Sequence, residues 1–417
     1  CRSGQRRCRC PSEGSLGRVL FRSGETNVLC ILQSISCLQF LRCLVNGRVD
    51  MAYGVLVLIC CALCLLTHMP TLRRFRCLGL VTMLSMMAIV SSLRSDTLST
   101  DGPMYTGVFH NPNTCRKYGF EIGYCLLNRA IWWSGATDTA IFVIESLLLY
   151  GAIGLFIYLY IEQRWWGFSC LMLFGTRTFF MAMNVSRQYI AVALCVFAFI
   201  LYERRHWKFA LGLVALATAF HITSMVVLLV PVVAWWQGHA KRFEIQSVVV
   251  IVVAFAMQFF DYDDIINWIA GFIPKYRHYQ HDSLMDHTGT SIVWVLYTLT
   301  VSMVFVVYIW RRRKLADHSH HGVTTMQSNG KERLLLSGAL VYVVMSDAFA
   351  GVNTLSRMPI FFIMFFIWLL TAMLATLGKR MQIAVELLIL DASFLICYRQ
   401  IYIRGNFGVL PYKMFFE

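Results

Sequence analysis

The chain has 417 residues, of which 58% are hydrophobic and 14% charged, and its 37 Lys and Arg against 22 Asp and Glu give a formal net charge of +15. Soluble domains carry about 25% charged residues, so this balance excludes an ordinary soluble fold and places the chain among polytopic membrane proteins. The basic residues fall in short clusters between apolar runs, a pattern that marks cytoplasmic loops rather than the continuous basic face a nucleic acid needs.

The first fifty residues read as foreign to the rest. They contain no methionine and hold six of the 15 cysteines in an Arg-, Ser- and Gly-rich setting. The expectation is an upstream read-through or tag-like extension over 1–50, then one polytopic domain over 51–417 that opens with "MAYGVLVLICCALCLLTHM". The functional alternative for the extension, a zinc site at Cys8 and Cys10 or an extra helix around Val28 to Val45, has only a lone C-x-C behind it. Cys60, Cys61, Cys64 and Cys195 lie in apolar runs, where cysteine acts as a small hydrophobe, and no disulfide framework is implied.

A bilayer core about 30 Å thick needs about 20 apolar residues per helix. Runs of that kind lie near 52–69, 77–93, 121–135, 138–161, 165–183, 187–202, 207–236, 245–260, 291–310, 334–351, 358–377 and 382–398. The class is all-α, with about 11–13 transmembrane or re-entrant helices. Five basic clusters set the orientation: Arg73, Arg74 and Arg76; Arg204, Arg205 and Lys208; Lys241 and Arg242; Arg311 to Lys314; and Lys379 and Arg380. Placing all five in the cytoplasm requires the double-length run 207–236 to fold into two limbs with His221 at the outer turn. A single tilted span with a buried histidine is the alternative. The polar connections 94–120 and 261–290 then lie outside, and the "DHSHHG" patch from Asp317 reads as a solvated cytoplasmic linker. There is no Walker loop, dinucleotide-binding glycine pattern or H-E-x-x-H.

An ionisable residue at the bilayer centre costs at least about 2.5–3.5 kcal/mol, so it is a functional candidate by default. Arg94, Arg177, Arg187 and Arg357 all fall toward the outer side, against the positive-inside bias. Each alone could snorkel to headgroups. Four together, with His221 at the same level, point to a shared anionic ligand. Asn184, Arg187 and Gln188 share one helical face at i, i+3 and i+4 spacing. The arginine fork suits phosphate, and a diphosphate at the outer surface is the ligand this chemistry suggests. The outer loop adds Asp96, Asp101 and Tyr105, followed by Glu121. These residues could hold sugar hydroxyls or act as acid or base, or the aspartates could simply pair with arginines. Tyr276 and Tyr279 in "PKYRHYQHD" could stack on sugar rings or belong to an interfacial aromatic belt.

The order of "SSLRSDTLSTDGPMY", "YGFEIGYCLLNRAI", "NVSRQYIAVAL", "AFHITSMVVLLVPVV", "PKYRHYQHD", "SRMPIFF" and the terminal "LPYK" resembles the EpsG family, from about Met51 to the C-terminus. The most specific element is N-x-x-R-Q followed about 33 residues later by a histidine in an apolar run. The resemblance implies a bacterial cytoplasmic-membrane polymerase of exopolysaccharide, capsule or O-antigen, Wzy-like and related to the GT-C glycosyltransferases. Such an enzyme takes undecaprenyl-diphosphate-linked oligosaccharides as donor and acceptor, amid membrane lipids and other polysaccharide-assembly proteins, and requires no metal or cofactor. On that resemblance Arg94, Arg187 and Arg357 bind diphosphate, and Asn184, Gln188, Tyr105, Glu121 and Tyr276 are further substrate-binding candidates. His221 is a candidate base, with Asp96 and Asp101 as rivals. A lipid-linked saccharide flippase and a surface-glycan ligase or acyltransferase are the competing readings. A carrier predicts repeated halves and broken helices through the midplane.

Overall fold

The computed structural model describes residues 50–111, 113–260, 291–318, 330–352 and 355–416. The proposed extension and Tyr276 therefore lie outside the described residues. Helices dominate, with no strand among the described residues beyond one isolated bridge between Arg94 and Met414. Among the described residues, seven helices are long and apolar enough to cross a membrane, and three shorter apolar ones accompany them. The chain is thus an all-α polytopic membrane protein. Large apolar side chains such as Leu147, Val252, Leu388 and Leu395 are exposed on its outside, as a lipid solvent allows.

In chain order the helices are α1 (Met51–His68), α2 (Arg76–Ser92), α3 (Gly102–His110), α4 (Asn113–Lys117), α5 (Ile122–Trp133), α6 (Ala140–Tyr160), α7 (Trp166–Gly175), α8 (Thr178–Asn184), α9 (Ser186–Glu203), α10 (Trp207–Phe220), α11 (Leu229–His239), α12 (Phe243–Met257), α13 (Ile292–His318), α14 (Gly330–Ala348), α15 (Ile363–Ala375) and α16 (Lys379–Tyr398). The mostly buried α9 and α15 form the centre, whereas the span from Ile222 to His239 and the one beginning with α16 are mostly exposed.

Three of the expected spans are not single regular helices. The run 165–183 breaks between α7 and α8, where Arg177 takes a left-handed backbone at φ 63°. The run at 207–236 divides at His221, whose extended backbone (φ −156°, ψ 114°) ends α10 and starts a 3-10 turn, Ile222–Leu228, that leads into α11. The two-limb reading of this run is the one the contacts follow. His221 lies beside Glu121 near the start of α9, whereas Gln237 near the end of α11 accepts from Ser337 close to the start of α14 at 3.1 Å. The run at 358–377 starts as a 3-10 helix, Leu355–Phe362, with Pro359 inside it, because proline has no N–H for a regular α ladder. At 12 residues, α5 is about 18 Å long and too short to span.

Hydrogen bonds fix the two ends of the bundle. At one end Lys331 Nζ donates to the Leu159 carbonyl at 2.8 Å, and Arg311 Nη2 to the Thr376 carbonyl at 2.9 Å. The clusters Arg204–Lys208, Lys241–Arg242, Arg311–Lys314 and Lys379–Arg380 belong to this end. At the other, Arg94 just past α2 meets Glu145 of α6 and Ser186 of α9. The C-terminal segment folds back there. Tyr412 N donates to Asp50 Oδ2 at 2.7 Å, Tyr412 Oη to the Val90 carbonyl at 2.8 Å, and Ser95 N to the Lys413 carbonyl at 2.9 Å. The terminal "LPYK" thus ties the start of α1 to the end of α2.

The expectation of no disulfide is corrected. Cys115 and Cys125 are bonded, joining α4 to α5 across ten residues. Neither cysteine lies among the apolar-run cysteines on which that expectation rested, and their sequence spacing carries no pairing signal by itself. In the chain-entropy account, closing so short a loop stabilises by about 2–3 kcal/mol. Replacing both with serine is expected to lower the melting temperature of the detergent-solubilised protein and to abolish its sensitivity to reductant. An unchanged melting curve would count against a structural bond.

Candidate functional site

The end of the bundle away from the basic clusters holds a cavity of about 520 Å³, a size typical of small-molecule sites. Arg177, Arg357 and Arg404 line it, and among the described residues the lining has no Asp or Glu. Irregular backbone delivers all three arginines. Arg177 sits at the α7–α8 break, and Arg357 lies in the 3-10 turn before α15. Arg404 follows a π-helical turn, Arg399–Ile403, that ends α16. Phe407, also in the wall, has φ 73°. Left-handed non-glycine residues cost about 1–3 kcal/mol and gather where function over-determines the backbone, and π turns gather at functional sites.

Gln400 adds a donor. It is 1% exposed and lines the cavity. Its Oε1 accepts from Asn406 Nδ2 at 2.6 Å, while its buried Nε2 has no hydrogen-bond partner among the described residues. A buried unpaired N–H is costly, so this atom suits an anion or hydroxyl in the cavity.

A second cluster stands beside the cavity. Glu121, at the start of α5, accepts from Arg187 Nη1 at 2.5 Å through Oε2 and from the Ile222 N–H at 3.3 Å through Oε1, which is also 3.7 Å from His221 Nδ1. Phe120 lies under the Arg187 guanidinium at 3.9 Å, and Phe361 stacks on His221 at 6.4 Å. One carboxylate thus binds the arginine and lies close to the imidazole, and the disulfide loop Cys115–Cys125 carries both Phe120 and Glu121. Tyr105 is buried against Phe120 and Tyr124. Burial pushes its hydroxyl up to about 12, against the pull of Arg187, so it is a donor at neutral pH and not a base.

Asp101 lies between the two groups. Its N–H and the Thr100 hydroxyl both donate to Asn184 Oδ1, at 3.1 and 2.7 Å. Burial raises its carboxyl above the usual aspartate range, while Arg357, Arg187 and a hydrogen bond from Thr100 pull it back. The loop before it turns tightly. Asp96 accepts from Ser95 and Thr106 at 3.3 Å, and a Cβ on Gly102 would stand 1.9 Å from the Asp96 carbonyl oxygen.

The residues singled out from sequence therefore separate. Arg357 and Asn184 line the cavity. Gln188 braces it, its Nε2 donating to the Arg357 carbonyl at 3.2 Å. Arg187, Glu121, His221 and Tyr105 form the adjoining cluster. Arg94 is in neither. It is 1% exposed, donates to Glu145 Oε2 at 2.6 Å and Ser186 Oγ at 3.0 Å, also bonds the Ser91 carbonyl, and lies over the Phe142 ring at 4.0 Å. The structure places it in a buried pairing and not on the cavity wall. Sequence reasoning assigned no role to Gln400, Arg404 or Asn406. "RQIYIRGN" carries two arginines just after an apolar run, the same signal that marked Arg94.

If Arg187 serves to hold Glu121, Arg187→Met alone strands a buried carboxylate, whereas Arg187→Met with Glu121→Gln removes that charge as well. The double variant is expected to regain at least tenfold in activity over the single one. A double variant as inactive as the single would instead put Arg187 on the substrate.

The family model described as EpsG family matches residues 76–414. The chain belongs to the EpsG family. All the cavity residues lie within the matched range, and α1 precedes it. EpsG membership points to an exopolysaccharide-related polymerase. No curated protein and no solved structure matches the chain.

Proposed function

We propose that this EpsG protein joins oligosaccharide repeat units carried on undecaprenyl diphosphate, as a GT-C-like glycosyltransferase working at the outer face of the bacterial cytoplasmic membrane. One observation carries the reading: a cavity with three arginines, a free amide donor and no carboxylate among its described lining residues. Such a site favours a polyanion in a region that membrane insertion should keep poor in positive charge. The basic clusters at the opposite end support the orientation, since Lys and Arg mark the cytoplasmic side.

The acceptor hydroxyl oxygen attacks the anomeric carbon of the donor. The bond from that carbon to the diphosphate oxygen breaks, and its electron pair leaves on the diphosphate. Arg177, Arg357 and Arg404 stabilise that charge as it develops. The hydroxyl proton goes to a base. Asp101 is the candidate favoured for this: its N–H donates to Asn184 and its neighbour Thr100 lines the cavity, so the carboxylate sits just behind the cavity wall. Asp96 is committed to its turn, and Glu121 is committed to Arg187 and the Ile222 N–H.

A base acts as the carboxylate, so activity should rise with pH through a value above that of an ordinary aspartate, because burial holds the proton on Asp101. The stability sign runs the other way. A raised folded-state value favours the protonated fold, and that contribution is lost as pH rises through it. Asp101→Asn is expected to remove the acid limb of the rate profile. A limb that survives in the variant assigns it to another group.

The decisive assay uses purified protein in vesicles with lipid-linked repeat units. Longer lipid-linked saccharides are the expected product. Helices broken at Arg177 and His221 also favour a carrier of the same lipid. Transbilayer movement of the lipid without elongation would decide for that second reading.

A further inference from the structure

Beyond the arginines, the cavity has an aromatic and hydroxylated wall from α13 and α14. Nine non-hydrogen atoms of a diphosphate, each given the roughly 30 Å³ share of a liquid water, fill about 270 Å³ at most. Half of the 520 Å³ remains for whatever the diphosphate carries. The Arg177 guanidinium lies over the Trp294 ring at 4.6 Å. Trp294 meets Tyr297 edge-on at 5.4 Å. The Tyr297 and Tyr342 hydroxyls are 2.8 Å apart, and Tyr342 is backed by Phe366 in a stack at 4.6 Å. Thr298 and Ser346 add hydroxyls to the same wall.

We infer that Trp294, Tyr297 and Tyr342 form a saccharide subsite that selects the sugar joined to the diphosphate. The inference rests on the proposed polymerase reading. Arg177 fixes the register, since its guanidinium can face a phosphate while its plane rests on Trp294. With one indole face taken by Arg177, the opposite face lies one side chain's reach from the phosphates, where the first sugar ring must be. An apolar aromatic face suits the C–H face of a pyranose. The paired tyrosine hydroxyls, locked by each other and by Phe366, offer fixed donors and acceptors to its hydroxyls. Such groups penalise a sugar that leaves them unpaired far more than an apolar wall could.

The test compares two lipids bound to purified protein in detergent: undecaprenyl diphosphate alone, and the lipid-linked repeat unit extracted from source cells deleted for this gene. Wild type should bind the repeat unit at least tenfold more tightly. Tyr342→Phe should erase most of that difference while binding bare undecaprenyl diphosphate within about twofold of wild type, and Trp294→Ala should erase it as well. Arg357→Ala with Arg404→Ala should weaken both lipids alike. Because Trp294→Ala could release Arg177, Tyr342→Phe, which removes one oxygen, is the deciding variant. Equal binding of both lipids by wild type, or a Tyr342→Phe preference unchanged from wild type, overturns the subsite and leaves the polymerase reading intact. Failure of wild type to bind either lipid overturns both.

Discussion

Arg357→Ala in a host lacking its own polymerase should collapse the surface-glycan ladder to a single repeat, with the protein still inserted in the membrane. Removing one preorganised donor from a developing oxyanion costs about 10²–10³ in rate. Arg404→Ala should fall in the same range. The double variant should be no worse than about the product of the two, since both act on one charge. Arg357→Lys keeps the charge and loses the fork, and should recover only part of the activity. The backbone of Arg357 is held independently, its carbonyl accepting from Gln188, so truncating the side chain leaves the 3-10 turn in place. A full ladder from inserted Arg357→Ala, Arg404→Ala protein would show that the cavity does not hold the leaving group.

The second large effect falls on stability. Arg94 and Glu145 are both 1% exposed and 2.6 Å apart between α2 and α6. Breaking such a pair by removing one partner strands the other charge, at about 3–5 kcal/mol. Arg94→Ala and Glu145→Ala should each lower the yield of folded protein and its melting temperature sharply. Arg94→Met with Glu145→Leu, which fills the volume and removes both charges, should recover most of the loss. Thermal unfolding in detergent reads the difference. A double variant no more stable than the single ones would mean that Arg94 contributes through something other than Glu145, the Ser91 and Ser186 contacts being the alternatives.

The two effects divide arginines that look alike in the sequence. Arg94 and Arg357 both stand at the edge of an apolar run on the side that should lack cations. In the fold, Arg94 meets a carboxylate from α6, 51 residues away, whereas Arg357 meets a cavity. Glu145, an ionisable residue inside "IFVIESLLLY", carries the intramembrane signal, but nothing in the sequence marks Arg94 as its partner. Asn184, Arg187 and Gln188 share a helical face by spacing, yet the helix breaks at Val185. The three residues therefore turn to different tasks: the acidic loop, Glu121 and the Arg357 backbone.

Local rules also missed the irregular backbone. Nothing in "FGTRTFF" demands a left-handed arginine, because that conformation is imposed from outside. A Cβ on Gly175 would stand 2.3 Å from Ser393 Oγ, so α7 ends in close contact with α16 and the chain must turn there. The π turn that aims Arg404 likewise belongs to the packing of α16 against the segment that follows it.

By itself the sequence determined the all-α membrane class, because apolar runs of bilayer length leave backbone groups no partner except their own helix. It also determined the two-limb fold at His221, since charge clusters constrain which ends share a side, and the family, since spaced motifs survive without contacts. Only the tertiary structure decided which arginines line the cavity and which are paired inside the protein, because that depends on carboxylates and helix breaks far away in the chain. It also brought Gln400 and Arg404 to the cavity at Arg177, more than 200 positions away, and at Arg357, a meeting that no local periodicity encodes.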